Sequence, residues 1–213
     1  MTKLEVRFIR HAKGTHMLNP DLIAGRSLDA TLTDEGEIQA DAKGKELLHR
    51  GILPDYVASS TAERCRQTAK RILAAMNIAS PIDLTEDLLE MDQGNFVGRL
   101  RADIYGNDVI QQEIRKWGKD FKLPGAESMN EVGTRGTDWL RTKEGLWAEK
   151  KLSVVAIAHA GLITHTVGQI ENWDQPKSLA MLRTMPPVGE TNVVFDGEEW
   201  HVDYFARPIL EVE

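Results

Sequence analysis

Histidine and arginine recur where this sequence leaves its β-rich runs. LEVRFI (Leu4 to Ile9) stops at Arg10-His11. DYVASS (Asp55 to Ser60) runs into SSTAERCRQTA, which carries Arg64 and Arg66. The apolar run LSVVAIA (Leu152 to Ala158) ends at His159, followed by Ala160-Gly161. In open α/β sheets ligands bind beyond the carboxyl ends of the strands. Side by side, these ends bring imidazoles and guanidinium groups to one crevice. Arg suits phosphate, because its planar fork donates parallel charge-assisted bonds. A neutral imidazole can attack phosphorus and form a covalent intermediate. A second, protonated imidazole can stabilise the equatorial oxygens. The leaving alkoxide needs a proton, and Glu90, at the end of DLTEDLLE and before a Gly-rich turn, is the best-placed carboxyl. Taken singly, each has a plainer reading. A histidine after a strand caps or fills a core, Arg64 is a surface charge or an ion-pair partner, and Glu90 is a solvated acid. Joint placement at adjacent strand ends is what favours catalysis.

The elements around these residues point to an α/β fold. Thr33 reads as an N-cap with Asp34 and Glu35 in the first turn, opening a helix to about Arg50 that shows Ala40, Gly44, Leu47 and Leu48 on one face. Ala62, Cys65, Ala69, Ile72, Leu73 and Met76 form a helical stripe, in which Cys65 reads as packing rather than redox chemistry. Residues 80 to 126 are broken by Gly and Pro, with one polar helical stretch near Ile110 to Lys119. A long helix is expected from about Glu127 to Glu149. LSVVAIA reads as a strand buried on both faces. A helix follows Gly161, and then TNVVF and WHVDYF form a hairpin at Asp196-Gly197. Strand-helix alternation of this kind predicts a mostly parallel central sheet with helices on both faces, in one domain over 1–213, with an insertion at about 95–126.

Composition narrows the function classes. The 213 residues carry 26 Lys plus Arg against 33 Asp plus Glu, a formal net charge of −7. That excess of acid argues against duplex nucleic acid or an anionic membrane as partner. One Cys cannot form an internal disulfide, and no Cys/His spacing suits structural zinc. MTKLEVRFIRH lacks the apolar run of a signal peptide, and no stretch approaches the ~20 apolar residues of a membrane span. A soluble, cytoplasmic protein acting on a small molecule is the expectation. The oligomeric state stays open, with a homodimer among the options.

Several segments resemble the histidine phosphatase superfamily, the phosphoglycerate mutase-like fold. FIRHAKGT is similar to its opening Arg-His-Gly-Glu/Gln-Thr motif, and GRSLDATLTDEGEIQA to its Gly-x-x-Asp-x-x-Leu-Thr-x-x-Gly-x-x-Gln-Ala segment. SSTAERCRQTAKRI resembles Ser-Ser-x-x-x-Arg-x-x-Gln-Thr-Ala. LLEMDQGNFVG resembles Glu-x-x-x-Gly-x-x-x-Gly, with Phe96 where Trp is common. PGAESMNEVGTR and AIAHAGLI are similar to Gly-Gly-Glu-Ser and Ser-His-Gly-Gly segments. Any one of these is weak, but they occur in order from residue 6 to about 165. The resemblance implies that His11 becomes phosphohistidine, that Arg10, Arg64 and His159 hold and neutralise the phosphoryl group, and that Glu90 protonates the leaving group and then activates water. It implies no metal and no cofactor. Its pocket Asn falls near Met17 by direct counting, and Asn19 is the nearest Asn.

The sequence departs from that pattern at Ala12 and Ala160, which replace glycines and narrow the approach to the ligand. Lys13 stands in place of Glu or Gln, either favouring a more anionic substrate or facing solvent. Members of this fold are phosphatases or mutases, and some have lost catalysis. RADIYGNDVIQQEIRKWGKDFKLPGAES lacks the Arg-Arg pair of cofactor-dependent mutases, and Glu-Met-Asp-Gln-Gly is closer to the phosphatase-type Glu-x-Asp-x-Gly. A phosphomonoesterase is therefore expected. A phosphoglycerate mutase is the alternative, and a non-catalytic phosphate-binding module is a third reading. Lys13, Arg26, Arg99 and Arg101 either line the mouth and select a second anion or are solvated charges. Trp117, Phe121 and Phe96 form either an apolar wall or the insertion's own small core.

Overall fold

The apolar run Ser153–Ala158 is a strand with one cluster of buried side chains on each face. Val154, Ala156 and Ala158 point into one core, and Val155 and Ile157 into the other. The computed structural model describes residues 3–150 and 152–210; Met1 and Thr2 of the amino-terminal run lie outside them. In chain order the elements are β1 (Leu4–Arg10), α1 (Asp34–His49), β2 (Tyr56–Ser60), α2 (Glu63–Ala75), β3 (Asp83–Thr85), α3 (Arg101–Tyr105), α4 (Asp108–Trp117), α5 (Met129–Arg141), α6 (Glu144–Ala148), β4 (Ser153–Ala158), α7 (Ala160–Ile170), α8 (Gln175–Leu182), β5 (Glu190–Phe195) and β6 (Trp200–Arg207).

The sheet has six strands in the order β3-β2-β4-β1-β5-β6. The first four run parallel, while β5 is antiparallel to β1 and forms the expected hairpin with β6. Helices α1 and α2 cover one face through Ala40, Leu47, Cys65, Ala69 and Ile72. On the other, α5 and α7 bury Val132, Trp139, Leu140, Leu162, Ile163 and Val167. The mostly parallel α/β sheet read from the sequence is the one observed. Thr33 caps α1 by accepting from the Gly36 N–H at 3.1 Å. Gly44 is where α1 meets α2: a Cβ there would lie 2.5 Å from the Ile72 carbonyl oxygen.

Three expectations change in detail. Leu48 lies outward, and Lys43 and Glu46 take the buried positions beside it on α1. The helix expected from about Glu127 to Glu149 is two helices, α5 and α6. Between them the Thr142 hydroxyl donates to the Trp139 carbonyl and the Lys143 N–H to Leu140, so the last turn of α5 tightens and stops. The edge strand β3 was not expected, because a three-residue strand with exposed Asp83 and Leu84 carries no readable alternation. Among the described residues no helix is long and apolar enough to cross a membrane.

Candidate active site

The register of the central strands assembles the site. Arg10 is paired with Ala158, and the His11 N–H donates to the Ala158 carbonyl at 2.9 Å. His11 and His159 therefore leave adjacent strands side by side, with ring centroids 5.1 Å apart. β2 ends at Ser60 and leads into α2, whose second residue, Arg64, is 1% exposed. A cavity of about 340 Å³ opens over these strand ends, lined by Arg10, His11, Arg64, Glu90 and Asn19 among others. His159 lies just beneath its wall, fully buried.

Hydrogen bonds set each imidazole differently. The His11 Nδ1–H donates to its neighbour's carbonyl, Ala12 O, at 2.7 Å. That leaves Nε2 unprotonated and accessible from the cavity. Burial, then Arg64 and Arg10, hold the His11 pKa well below the ordinary histidine value, so the ring is neutral. At His159, Arg64 donates to Nδ1 at 3.0 Å, and the Nε2–H donates to Ser60 Oγ at 2.9 Å. Burial and Arg64 also push His159 well below its usual pKa. The second imidazole, expected from sequence to be protonated, is neutral here, because it is buried and faces the Arg64 guanidinium. Cys65 packs under this ring, its Sγ 3.4 Å from Nε2, and burial pushes the thiol up to about 12.

The arginines are anchored yet unsaturated. Arg10 donates to the Met185 carbonyl, and Arg64 to the carbonyls of Arg26 at 2.9 Å and Ser27 at 2.7 Å. The Nε of each is buried with no partner. Buried donors are almost always paired, so unmet ones at one cavity mark where an acceptor-rich ligand belongs. Glu90 sits across the cavity at the start of α7. Its Oε1 accepts from the N–H of Met91 at 2.8 Å and of Leu162 at 3.2 Å, and its Oε2 from that of Gly161 at 3.1 Å. A Cβ at Gly161 would fall 2.2 Å from Oε1, so only glycine lets the carboxylate dock there. The Ala12 N–H donates to Thr68 Oγ1 at 3.1 Å, and Ala160 opens α7.

Some positions had no reading in the sequence. Arg135 forks onto Glu127 at 3.0 Å and donates to the carbonyls of Asp87 and Leu89, fixing the segment that carries Glu90. Burial raises the Glu127 pKa, but Arg135, the Asp92 N–H and Arg26 outweigh it and lower it overall. His16 and His165 also line the cavity. The only signal for either was a histidine five residues after His11 and another four after Gly161, neither of which marks a site. Lys13 pairs with Glu35 away from the cavity, and Arg26 is tied to Asp92 and Glu127; of the four cations considered for the mouth, only Arg101 lines it. Asn19 lines the rim, exposed, and its side chain makes no hydrogen bond among the described residues. Phe96, Trp117 and Phe121 line a separate groove in the 95–126 segment.

The order of segments, the sheet and this convergence of residues fit one class of protein: the chain belongs to the histidine phosphatase superfamily (branch 1), whose family model matches residues 6–207. It is 30% identical over 131 residues to the 2,3-bisphosphoglycerate-dependent phosphoglycerate mutase of Bartonella henselae, a match covering 60% of this chain and 62% of that one. The chain thus matches less than two thirds of that relative's length. Its fold is similar to that of a mycobacterial glucosyl-3-phosphoglycerate phosphatase (TM-score 0.78, 20% identity, 97% of this chain and 100% of that one). It is also similar to that of the phosphoglycerate mutase of Bacillus anthracis (TM-score 0.79, 17% identity, 97% and 94%).

Proposed function

We propose that the protein is a phosphomonoesterase working through phosphohistidine on a small phosphorylated substrate. The observation that carries this reading is the setting of His11. Its Nδ1–H is spent on Ala12 O, and its free Nε2 opens on a cavity flanked by unpartnered guanidinium nitrogens. Arg10 and Arg64 hold the non-bridging oxygens. Nε2 attacks phosphorus, a P–N bond forms and the P–O ester bond breaks. Glu90, in its protonated form, gives its proton to the departing alkoxide. The resulting carboxylate takes a proton from water, whose oxygen attacks phosphorus and releases phosphate and free His11. Neutral His159 accepts from Arg64 at Nδ1 and so orients that guanidinium toward the phosphoryl oxygens.

Hydrolysis rather than transfer is supported by the Glu-Met-Asp-Gln-Gly segment and by the missing Arg-Arg pair between 99 and 128. Arg101, Gln93 and Asn19 line the outer cavity, which suits a polar leaving group. The same reading takes neither nucleic acid nor membrane as partner and sets the enzyme in the cytoplasm, which a single buried cysteine suits. Rapid quench of the wild type with a labelled aryl phosphate should trap an acid-labile, base-stable phosphoryl group. His11→Ala should trap none and lose about 10⁴-fold or more in turnover. Substantial residual turnover in that variant ends the nucleophile assignment. Interconversion of phosphoglycerates well above phosphate release would favour the mutase alternative.

A further inference from the structure

His16 has no part in the mechanism above, yet the fold makes a place for it. It sits in a short 3-10 turn, Thr15–Leu18, with its ring edge-on to His11 at a centroid distance of 5.2 Å. A Cβ on Gly14 would come within 2.8 Å of His16 Nδ1, 2.9 Å of its Cε1 and 3.3 Å of Arg64 Cδ. Gly14 has an ordinary extended backbone, φ −103° and ψ 160°, so glycine is needed there for space and not for conformation. That space belongs to the imidazole and to Arg64.

The ring's two nitrogens are not equivalent. Nδ1 is buried without a partner, and Nε2 is the accessible nitrogen of a cavity-lining side chain. A buried N–H with no acceptor is rare, so the single proton of the neutral ring belongs on Nε2. This is the opposite tautomer from His11. Burial, then Arg64 and Arg10, bring the His16 pKa down to about 4 and keep the ring neutral.

We propose that His16 is a ligand of the phosphoryl group, donating its Nε2–H to a non-bridging oxygen beside His11, in the role that the family resemblance implied for Asn19. The assignment rests on the phosphoryl reading of the cavity. It supplies a donor without adding a third fixed positive charge next to Arg10 and Arg64. Asn19, three residues on, stays at the exposed rim.

Calorimetric binding of orthovanadate and inorganic phosphate to the full chain tests this without requiring turnover. His16→Phe keeps a ring against Gly14 and His11 but has no N–H. In His16→Gln the amide nitrogen reaches the Nε2 position. His16→Phe should weaken vanadate binding about 10- to 100-fold, the scale for losing one preorganised donor. His16→Gln should return to within about fivefold of the wild type, and Asn19→Ala should lose less than His16→Phe. A purely structural role would instead lower the melting temperature equally in the Phe and Gln variants and leave the affinity of the folded protein unchanged. Should His16→Phe fail to fold, His16→Asn, whose amide is too short to reach Nε2, takes its place with the same expectation. Wild-type binding matched by the donor-less variant overturns the His16 assignment alone. Absence of oxyanion binding in the wild type overturns the phosphoryl reading as well.

Discussion

Two groups of buried cations meet where β1 adjoins β5, and the protein treats them in opposite ways. On the α1 side, Lys43 Nζ donates to Glu46 at 2.8 Å and to Glu190 at 2.6 Å, while Arg50 donates to Glu46 at 2.7 Å and to both Glu190 oxygens at 2.8 and 3.0 Å. Tyr204 adds its hydroxyl to Glu190. Lys43 and Arg50, with Arg7 Nε 3.8 Å from Glu190, meet two carboxylates, and every carboxylate oxygen in the cluster has a cationic partner. Across the strand, the Arg10 N–H donates to the carbonyl of Gly189, the residue before Glu190. There Arg10 and Arg64 face Glu90, whose oxygens are occupied by the backbone. In the closed cluster every carboxylate oxygen is met by a cation of the protein itself. In the open one Arg10 Nε and Arg64 Nε have no partner among the described residues, and the proposed function gives this cluster to an anionic substrate.

Substitutions should separate the two. Arg64→Met should cost about 10³-fold in kcat/KM, the scale for a cation that stabilises a transferring phosphoryl group. In phosphate-free buffer it should change the unfolding free energy by no more than about 1 kcal/mol, because an uncompensated buried cation leaves with the side chain. A large loss of stability, read by urea titration, would mean that the open cluster is structural. Glu190→Leu should behave in reverse. It leaves Lys43 and Arg50 to share Glu46 alone and should cost about 3 kcal/mol of stability. Turnover per folded molecule should stay within about threefold, since the two clusters share no side chain. Glu90→Gln should lower turnover of alkyl phosphates about 10²-fold and of aryl phosphates by about tenfold or less, because a good leaving group needs little protonation. Equal losses would make Glu90 structural.

The smallest effect is a pH dependence with two windows. His16 and His165 have folded pKa values near 4, below the ordinary value of about 6.5. The unfolded chain therefore binds protons first, and stability present above about 6.5 falls as pH drops toward 4. Burial raises the pKa of Glu190, but Arg50, Lys43 and Tyr204 outweigh it and bring it to about 2. Its contribution is present above the unfolded carboxylate value of about 4.3 and is lost as pH falls toward 2. Saturating phosphate should flatten the part of the upper window that comes from the open cluster and leave the lower one unmoved. Thermal unfolding at stepped pH, with and without phosphate, checks this. A phosphate effect confined to the lower window would contradict the division.

The open cluster was more legible in the sequence than the closed one. Arg10, His11 and His159 stand at the ends of β-rich runs and Arg64 four residues beyond one, so the strand-end rule places them at one crevice. Glu90 was found by its place before a Gly-rich turn. Nothing local marks Glu190, which begins a strand antiparallel to β1, or Lys43, which interrupts the apolar face of α1. Their pairing spans 147 residues and depends on tertiary packing alone. His16 escaped for a different reason: its value depends on the tautomer left by its surroundings, and on Gly14 yielding space. The split of α5 from α6 turns on a Thr142 hydroxyl bond that propensity does not register.

The bond from His11 Nδ1 to its own neighbouring peptide has a consequence for how this enzyme can be altered. In a Ser-His-Asp triad the imidazole is oriented by a separate side chain, which one substitution removes. Here the orienting group is a backbone carbonyl, present whatever residue stands at 12, so no side-chain replacement deletes it. The orientation of His11 is set by the main chain just beyond the end of β1. Selection, natural or in the laboratory, can retune the cavity lining while the orientation of His11 stays with the main chain.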